Sequence, residues 1–248
     1  MKGICKLSCI PVRKEASSTA EMTTMLLFGE TYSIIESNDG WTFIKTDFDT
    51  YEGWISSKQA DKLLAEPSQA AVSFGYPFNK ATSGNESIFI LPGSLLPDYR
   101  DGSFNLNHQE YALDLPNIGY SKTDLIYVAK QFLNAPYLWG GRSPFGIDCS
   151  GFTQIVYRIC GFALPRDAWQ QAENGTTLGF REEAKAGDLA FFDNEEGRIT
   201  HVGMMLNPDE IIHASGRVRI DKIDGHGIFD AEREEYSHKL RIIKRISV

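Results

Sequence analysis

Short apolar runs alternate with turn-forming polar residues over the first 60 residues of the chain. Strand-like segments lie at residues 3–12, 30–36, 41–47 and 53–56. The Asp39-Gly40 step between two of these segments is typical of a β-hairpin, and short strands at this spacing predict a small barrel. The interruption at residues 17–27 is compatible with a brief helix.

Residues 61–116 repeat this alternation with a different sequence. The strand-like segments here are residues 71–78, 87–91 and 111–113, with polar turns between them. We therefore predict two small β-barrels, the first over residues 1–60 and the second over residues 61–116.

After residue 116 the apolar positions first recur at helical spacing and then return to short strand-like runs. Helices are predicted from Ser121, which suits an N-cap, to residue 132, from Cys149 to Cys160, and from Leu164 to Ala172. The strand-like segments that follow are residues 188–192, 201–206, 210–214, 218–222 and 240–245. Helices followed by an antiparallel sheet indicate an α+β domain over residues 117–248, with its boundary near residues 115–121.

The composition argues against several functional classes. The chain of 248 residues is 42% hydrophobic and 23% charged, as in an ordinary globular protein. Its formal net charge of −8 and pI near 5.2 argue against binding to nucleic acid or to an anionic membrane surface. No apolar run approaches the ~20 residues of a membrane span, and the start does not resemble a signal peptide. We therefore expect a cytoplasmic protein if the chain is complete, and a periplasmic or cell-surface protein if a leader has been removed.

The four cysteines do not indicate a disulfide framework. They are Cys5, Cys9, Cys149 and Cys160. A chain of this length does not need disulfides, and the spacing is unlike that of a disulfide-rich domain. Cys5 and Cys9 share a face of a predicted strand, so we interpret them as buried thiols and not as half of a metal site.

A glycine-rich stretch at residues 137–153 delivers Cys149 to the start of a predicted helix. It ends in Asp148-Cys149-Ser150-Gly151, after which the apolar residues follow helical spacing. Free N–H groups and the positive end of the helix dipole stabilise a thiolate. We therefore expect a lowered pKa and a nucleophilic cysteine at this position.

Two histidines lie where a base for this nucleophile is needed. His201 begins one predicted strand and His213 ends the next, so a hairpin would bring them to the same end of the sheet. A nucleophilic cysteine needs a histidine as base and a third group that orients its ring. A zinc site with Cys149 and both histidines as ligands is the alternative, although no fourth ligand and no paired ligand motif is evident.

Five ordered segments extend this pattern, at residues 137–153, 164–167, 187–192, 200–203 and 212–214. Together they closely resemble the NlpC family of papain-like cysteine peptidases over roughly residues 120–245. The resemblance implies a papain-like catalytic domain with Cys149 as nucleophile, His201 as general base and His213 as the residue that orients it, without a metal or other cofactor. The backbone N–H of Cys149 is expected to help form the oxyanion hole.

The amino-terminal half resembles bacterial SH3-like domains at residues 11–15, 27–30 and 51–55. Two such domains before the catalytic domain resemble the γ-D-glutamyl-L-diamino acid endopeptidases. This resemblance implies a monomeric enzyme of cell-wall peptide turnover or recycling. Its substrates would be short murein peptides with a free N-terminal L-alanine, cut between D-glutamate and diaminopimelate or lysine to release L-Ala-γ-D-Glu. It also implies that the first SH3-like domain closes one end of the cleft.

The same resemblance implies a set of substrate-binding residues. They are Tyr137, Trp139, Asp148, Ser150 and Asp167 in the catalytic domain, with Tyr51 and Glu15 in the first SH3-like domain. A carboxylate suits the cationic amine of the alanine, and Glu21 is the alternative to Glu15. Ala168 stands where relatives often have serine, which leaves one substrate contact open.

Two other functions fit parts of the pattern. A non-catalytic cell-wall binder would use the SH3-like domains, but it needs no nucleophile and base. An amidase or acyltransferase on the same scaffold would use Cys149 on another substrate. An ammonium pocket at Tyr51 and Glu15 distinguishes the peptidase from the amidase or acyltransferase, because only free peptide stems need such a pocket.

Overall fold

Two seven-stranded antiparallel sheets, one near each end of the chain, make up most of the architecture. The computed structural model describes residues 1–68, 71–75, 77–114 and 120–246. Within these ranges strands predominate and the helices are short. No helix in this part of the chain is long and apolar enough to cross a membrane.

The first sheet contains the strands of the amino-terminal region. They are β1 (Lys2–Ile4), β2 (Cys9–Arg13), β3 (Met22–Leu27), β4 (Thr31–Asn38), β5 (Trp41–Thr46), β6 (Glu52–Ser56) and β7 (Asp61–Lys62). Their order is β3-β2-β6-β5-β4-β1-β7. Alternate side chains of β2 are buried, among them Ile10 and Val12, which pack with Tyr32, Ile44 and Ile55.

The hairpin predicted at Asp39-Gly40 is confirmed. It joins β4 to β5, and both residues have positive φ angles, which is what a tight hairpin turn requires. The single strand predicted over residues 3–12 is instead two strands. The first strand ends at Ile4 and the second begins at Cys9, and the chain bends at Leu7 and Ser8 between them.

The brief helix predicted at residues 17–27 is wrong. Residues 22–27 form β3, which pairs antiparallel with β2. The side chains of Thr24, Leu26 and Leu27 are buried: Leu26 packs in the core of the first sheet, and Leu27 packs in a cluster with apolar residues of the carboxy-terminal region. Long-range pairing and burial therefore decide the structure of this segment.

Six further strands form two smaller sheets in the second amino-terminal region. They are β8 (Val72–Ser73), β9 (Asn79–Ser83), β10 (Glu86–Ile90), β11 (Leu95–Leu96), β12 (Ser103–Leu106) and β13 (Gln109–Leu113). One sheet has the order β10-β9-β13-β12, and β8 pairs with β11. The apolar core contains Phe104 stacked on Tyr111, together with Ile4 and Phe28 from the first region. The two regions therefore share core residues.

The sequence predicts domain boundaries at residues 60 and 116. Strand β7 begins just after the boundary at residue 60 and pairs with β1 of the first sheet. The boundary at residue 116 falls on residues 115–119, which lie outside the described residues.

The carboxy-terminal region combines short helices with the second large sheet. Its described helices are α1 (Leu125–Gln131), α2 (Cys149–Ile159) and α3 (Ala168–Gln171), with 3-10 turns at Lys122–Asp124 and Arg181–Glu183. Its strands are β14 (Arg142–Ser143), β15 (Gly146–Ile147), β16 (Thr176–Thr177), β17 (Leu189–Asp193), β18 (Ile199–Asn207), β19 (Glu210–Ser215), β20 (Arg217–Ile223), β21 (Gly227–Asp230) and β22 (Glu235–Arg245). The large sheet has the order β16-β22-β17-β18-β19-β20-β21, and a further pairing of β21 with β22 closes it into a barrel.

Helix α2 packs against β18 and β19. Its side chains Phe152, Ile155 and Val156 lie in one buried cluster with Val202 and Ile212 from these strands. The helical spacing of these apolar residues explains why one face of α2 can cover the sheet. This packing brings the start of α2 close to the two strands that carry His201 and His213.

The third helix is shorter than predicted. It begins at Ala168 and not at Leu164, with Asp167 as its extended N-cap residue. Arg166, which precedes the cap, directs its side chain into the interior and is 1% exposed. Strand β21 was not predicted from the sequence, and β22 begins at Glu235, ahead of the predicted start at residue 240.

A buried ion-pair cluster joins the first sheet to the carboxy-terminal region. Glu30 accepts hydrogen bonds from Arg142 at 3.0 and 3.1 Å, and it also contacts Arg158. The backbone N–H of Leu27 donates to the same carboxylate at 2.7 Å. Burial acts to raise the pKa of Glu30, but the two guanidinium groups outweigh it and bring the pKa down to about 2. Glu30 is therefore ionised and holds the two regions together.

Candidate active site

Cys149 is the first residue of α2 and follows a tightly folded glycine-rich loop. Asp148 caps the helix, because its Oδ1 accepts a hydrogen bond from the N–H of Gly151 at 2.7 Å. Its Oδ2 accepts a hydrogen bond from the N–H of Gly140 in the loop at 2.8 Å. A side chain at Gly151 would meet the carbonyl oxygen of Gly141 at 2.3 Å, so this close approach requires glycine. The loop thus places Cys149 at the helix start.

The expectation of a lowered Cys149 pKa is wrong. Burial raises the pKa of the thiol, and the charge of Asp148 adds to this, so that the pKa reaches about 12. Backbone hydrogen bonds at Val202 and Ser150 act in the opposite direction without outweighing the burial. Cys149 is therefore a thiol in the resting protein, and a base would have to accept its proton before it could act as a nucleophile.

His201 and His213 lie side by side on the neighbouring strands β18 and β19. Nε2 of His201 is 2.9 Å from Nδ1 of His213, and both residues are buried. A side chain at Gly203 would meet the Cβ of His213 at 2.8 Å, so glycine permits this approach. Burial, and then the neighbouring His213 and His238, hold the pKa of His201 well below its usual value. Its ring is therefore neutral at neutral pH.

The Cys149 side chain reaches the strand that carries His201. Cys149 lies in the same buried cluster as Val202, the residue directly after His201, and the backbone of Val202 acts to lower the pKa of the thiol. The structure thus brings Cys149, His201 and His213 to one place, where the helix start meets the histidine pair. Their roles as nucleophile, base and orienting residue stay a prediction.

Three further residues of this cluster were not predicted from the sequence. Oδ2 of Asp221 is 2.9 Å from Nε2 of His213, and the Nε of Arg219 is 2.8 Å from the same oxygen. The ring of His238 stacks on that of His201, with 3.9 Å between the centroids and 24° between the planes. Arg219 and Asp221 lie two residues apart on β20, beside β19, so the strand period places them on one face. Recognising this requires the strand register, which the sequence does not provide.

The three histidines are also the group in the described residues that could hold a metal ion. Ring nitrogens of His201, His213 and His238 lie within 4.8 Å of one another. However, His201 and His213 are already hydrogen-bonded to each other, and the His238 ring stacks on the face of His201. Cys149 is not a member of this group, so the group differs from the zinc ligand set considered from the sequence.

A cavity of about 530 Å³ opens in front of Cys149, a size that suits a small ligand. Six of the predicted site residues line it: Tyr51, Trp139, Asp148, Cys149, Ser150 and Asp167. His201 itself is buried, but the preceding residue, Thr200, also lines the cavity. Tyr137 lies beside Cys149 without lining the cavity, and burial, followed by Cys149 and Asp148, raises the pKa of Tyr137 to about 12.

Arg166 organises one wall of this cavity. Its Nη1 donates to Oδ1 of Asp148 at 3.0 Å and to Oγ of Ser150 at 2.9 Å. Its Nε donates to Oγ1 of Thr24 on β3 at 2.9 Å. This buried side chain therefore connects the residues on both sides of Cys149 to the first sheet.

Glu15 does not line the cavity, whereas Glu21, the alternative considered from the sequence, does. Glu15 is exposed in the turn after β2, where its backbone oxygen accepts from the N–H of Ser17 at 2.8 Å. Glu21 lies directly before β3 and lines the cavity, and its Oε1 accepts a hydrogen bond from Nε1 of Trp139 at 2.8 Å. The β2–β3 hairpin explains the difference, because it returns Glu21 to the sheet and leaves Glu15 near the tip.

Acid is expected to destabilise the protein through His238. Burial, and then His213, lower the pKa of His238 from 6.5 to about 4. The unfolded chain therefore takes up a proton between these two pH values that the folded protein does not. The stabilisation is fully present above pH 6.5 and is lost as the pH falls towards 4, with a slope of up to about 1.4 kcal/mol per pH unit for this group. We expect His238→Phe, which keeps a stacked ring, to flatten the pH dependence of the unfolding free energy measured with urea. An unchanged slope would contradict this origin.

Two family models match the chain. The NlpC/P60 family matches residues 134–233, which include Cys149, His201 and His213. The bacterial dipeptidyl-peptidase Sh3 domain matches residues 12–59, which include Glu21 and Tyr51. The two matches thus cover both sides of the cavity.

Relatives of known name and solved structures extend over most of the chain. A γ-D-glutamyl-L-lysine dipeptidyl-peptidase of Bacillus subtilis is 31% identical over 212 residues, which are 77% of this chain and 71% of the relative. A Bacillus cereus protein of the same name is 28% identical over 231 residues, covering 78% of this chain and 67% of the relative. The crystal structure of an NlpC/P60 family protein from Bacillus cereus has a TM-score of 0.84 at 20% identity and covers 99% of both chains. An NlpC/P60 endopeptidase from Photobacterium damselae has a TM-score of 0.71 at 17% identity, covering 97% of this chain and 70% of the other. These two structures show the shared fold.

Proposed function

Because the chain belongs to the NlpC/P60 family of peptidases and carries a bacterial dipeptidyl-peptidase SH3 domain, we propose that it is a cysteine peptidase of short murein peptides. The proposed bond joins D-glutamate to the diamino acid of a peptide with a free N-terminal L-alanine, and its cleavage releases L-Ala-γ-D-Glu. One observation carries the proposal: Glu21, Thr23 and Tyr51 of the SH3 domain line the cavity that contains Cys149. A substrate at Cys149 must therefore fit against that domain.

The proposed chemistry uses Cys149 and the histidine pair. His201 accepts the thiol proton as the sulfur attacks the γ-carbonyl carbon of D-glutamate. The C–N bond then breaks as His201 passes that proton to the departing amine, which leaves a thioester on Cys149. Water attacks the thioester with His201 as base, and the thiol is restored. The backbone N–H of Cys149 is expected to stabilise the oxyanion.

The SH3 side of the cavity suits a free amine. Glu21 and Asp167 provide carboxylates and Tyr51 provides a phenol. Burial, and then the charge of Asp167, raise the pKa of Tyr51 to about 12, so its hydroxyl stays protonated. Burial also raises the pKa of Asp167, although Arg166 acts against this. A cationic amine would compensate the negative charge gathered here, which favours recognition of an unblocked N-terminus.

The identity of the diamino acid is supported by the names of the relatives. Both Bacillus proteins are named for γ-D-glutamyl-L-lysine, which favours L-lysine over diaminopimelate at the third position. A non-catalytic cell-wall binder is disfavoured, because binding alone has no use for a buried histidine pair next to a cysteine. Hydrolysis of matched lysine and diaminopimelate peptides distinguishes the two substrates.

We expect Glu21→Gln to raise KM for L-Ala-γ-D-Glu-L-Lys by about 10- to 100-fold with little change in kcat. The reason is that a hydrogen bond to a charged group contributes about 1.5–3 kcal/mol, and the variant lacks the charge that pairs with the amine. N-acetylation of the peptide should cause a similar loss in the wild-type enzyme, and the two losses should not add. Steady-state kinetics on both peptides measures this.

Glu15→Gln is the matched control for this experiment. It removes an exposed carboxylate from the same hairpin, outside the cavity, and should leave KM unchanged. Equal cleavage of the free and the acetylated peptide by the wild-type enzyme would contradict the assignment of the amine to this pocket.

The organisation of the amino-terminal half belongs to the same proposal. Residues 61–116 are proposed to form a second SH3-like domain between the matched SH3 domain and the catalytic domain. The sheet β10-β9-β13-β12 and its apolar cluster support this. Since Ile4 and Phe28 belong to that cluster, the two domains are expected to unfold together.

A further inference from the structure

We propose that Asp221 is a positioning residue that sets the direction of the hydrogen bonds in the histidine pair and thereby leaves Nδ1 of His201 unprotonated. This inference rests on the proposed function in one respect, namely that Cys149 and His201 act as nucleophile and base. It adds Asp221 to Cys149, His201 and His213, as a residue that acts through His213 and does not touch the substrate. Among the described residues, Asp221 is not part of the wall of the cavity at Cys149.

The contacts form an unbroken buried chain. Nε2 of His201 is 2.9 Å from Nδ1 of His213, and Nε2 of His213 is 2.9 Å from Oδ2 of Asp221. Arg219 contacts the Asp221 carboxylate through two nitrogens, with Nε 2.8 Å from Oδ2 and Nη2 2.9 Å from Oδ1. The Asp221 side chain is 8% exposed. Four side chains on three adjacent strands are thus linked in sequence.

The carboxylate of Asp221 determines which nitrogen donates in each of these hydrogen bonds. Burial acts to raise the pKa of Asp221, but its contacts with His213 and Arg219 outweigh this and lower it, so the group is ionised and can only accept hydrogen bonds. Nε2 of His213 must therefore donate to it. When the His213 ring is neutral, its other nitrogen, Nδ1, is the acceptor, and Nε2 of His201 donates to it. The proton of a neutral His201 lies on Nε2, and Nδ1 keeps its lone pair.

This direction matters for the proposed reaction. Without the carboxylate the opposite order of donors is equally allowed, and it places a proton on Nδ1 of His201. A ring in that tautomer cannot accept the Cys149 proton at Nδ1. The carboxylate also faces the positive charge that appears on the histidine pair once Cys149 has transferred its proton, which stabilises the charged state.

Other charged and titratable groups surround the chain of contacts. Asp230 on β21 and Glu232 after it also contact Arg219, at 3.3 and 3.9 Å. On β22, His238 covers one face of His201, and burial followed by His213 lowers its pKa to about 4, so it is neutral at neutral pH. Asp221 is therefore the acidic group that contacts the histidine pair among the described residues.

The test compares Asp221→Asn with Asp230→Asn. Both changes remove one carboxylate that contacts Arg219, but Asp221 is the one that contacts His213. For Asp221→Asn we expect kcat on the peptide to fall by about 10²-fold or more with KM changed by less than about threefold, because a neutral amide no longer imposes the direction of the hydrogen bonds. For Asp230→Asn we expect neither parameter to change by more than about threefold.

Alkylation of Cys149 by iodoacetamide provides a readout that needs no substrate. At neutral pH the rate for Asp221→Asn should be at least about 10-fold below that of the wild type, because His201 accepts the thiol proton less readily. The difference should narrow as the pH rises, since hydroxide then removes the proton without His201. A loss of equal size at every pH would indicate a distorted site and would overturn the proposal. If the peptide is not cleaved but the alkylation rates differ as expected, the substrate assignment fails and the inference stands.

Nitrogen-15 NMR of the wild-type histidine rings covers the case in which Asp221→Asn does not fold. We expect His201 and His213 both to carry their proton on Nε2 at neutral pH. A proton on Nδ1 of either ring would overturn the inference, whatever the variants show.

Discussion

Replacing Cys149 by alanine is expected to lower kcat/KM for L-Ala-γ-D-Glu-L-Lys by at least about 10⁴-fold while the protein stays folded. Removal of the nucleophile from an enzyme that works through a covalent intermediate leaves only the contribution of binding and of the oxyanion hole. The fold should persist because the change removes one sulfur atom from a position held by backbone contacts of the loop and by the Asp148 cap. Quantification of released L-Ala-γ-D-Glu by mass spectrometry gives the rate, and circular dichroism monitors the fold.

Cys160→Ala is the matched control for this prediction. Cys160 is a buried thiol at the end of the same helix, 3% exposed, and it lies outside the cavity. Its replacement should cost about 1 kcal/mol of stability and leave kcat/KM within about twofold of the wild type. Turnover by Cys149→Ala at more than about 1% of the wild-type rate would show that another group attacks the peptide.

Glu30→Gln is expected to destabilise the protein by about 3–5 kcal/mol. The variant keeps the shape of the side chain but leaves the guanidinium groups of Arg142 and Arg158 buried without a counter-charge, and breaking a buried ion pair in this way costs that much. The pKa of Glu30 is about 2 in the folded protein, against 4.5 for an unperturbed glutamate. Its contribution is therefore fully present above pH 4.5 and is lost as the pH falls towards 2. The midpoint of urea unfolding, followed by tryptophan fluorescence, measures the loss.

An exposed ion pair on the same sheet provides the comparison for Glu30. Lys45 and Glu52 lie 3.3 Å apart on β5 and β6, with both side chains nearly half exposed. Glu52→Gln should therefore cost less than about 1 kcal/mol. If the two variants lost similar amounts of unfolding free energy, this would contradict the role of Glu30 as the buried ion-pair partner that links the SH3 domain to the catalytic domain.

Features set by neighbouring residues could be predicted from the sequence. The Asp39-Gly40 hairpin depends on residues that tolerate positive φ angles, and both residues adopt them. The helix that begins at Cys149 depends on apolar residues at helical spacing after a glycine-rich loop, and α2 follows. The strands that carry His201 and His213 were also predicted from short apolar runs, although their closure into a barrel was not.

Features set by distant residues could not be predicted. The segment that forms β3 has no strong local pattern, and its pairing with β2 decides its structure. That same hairpin decides that Glu21 and not Glu15 reaches the cavity. The contact between Asp221 and His213 depends on the register of β19 and β20. The pKa of Cys149 is dominated by burial, which only the folded structure shows, and this outweighs the local effect of the helix start.

One product analysis tests most directly whether this protein is a peptidase of short murein peptides. Wild-type enzyme is incubated with L-Ala-γ-D-Glu-L-Lys, with the corresponding diaminopimelate peptide and with intact murein, and the products are identified by mass spectrometry. We expect L-Ala-γ-D-Glu and the free diamino acid from at least one of the short peptides, and no release from murein whose L-alanine amine is blocked. Release of a different fragment, or cleavage of intact murein as fast as of the free peptide, would contradict the account.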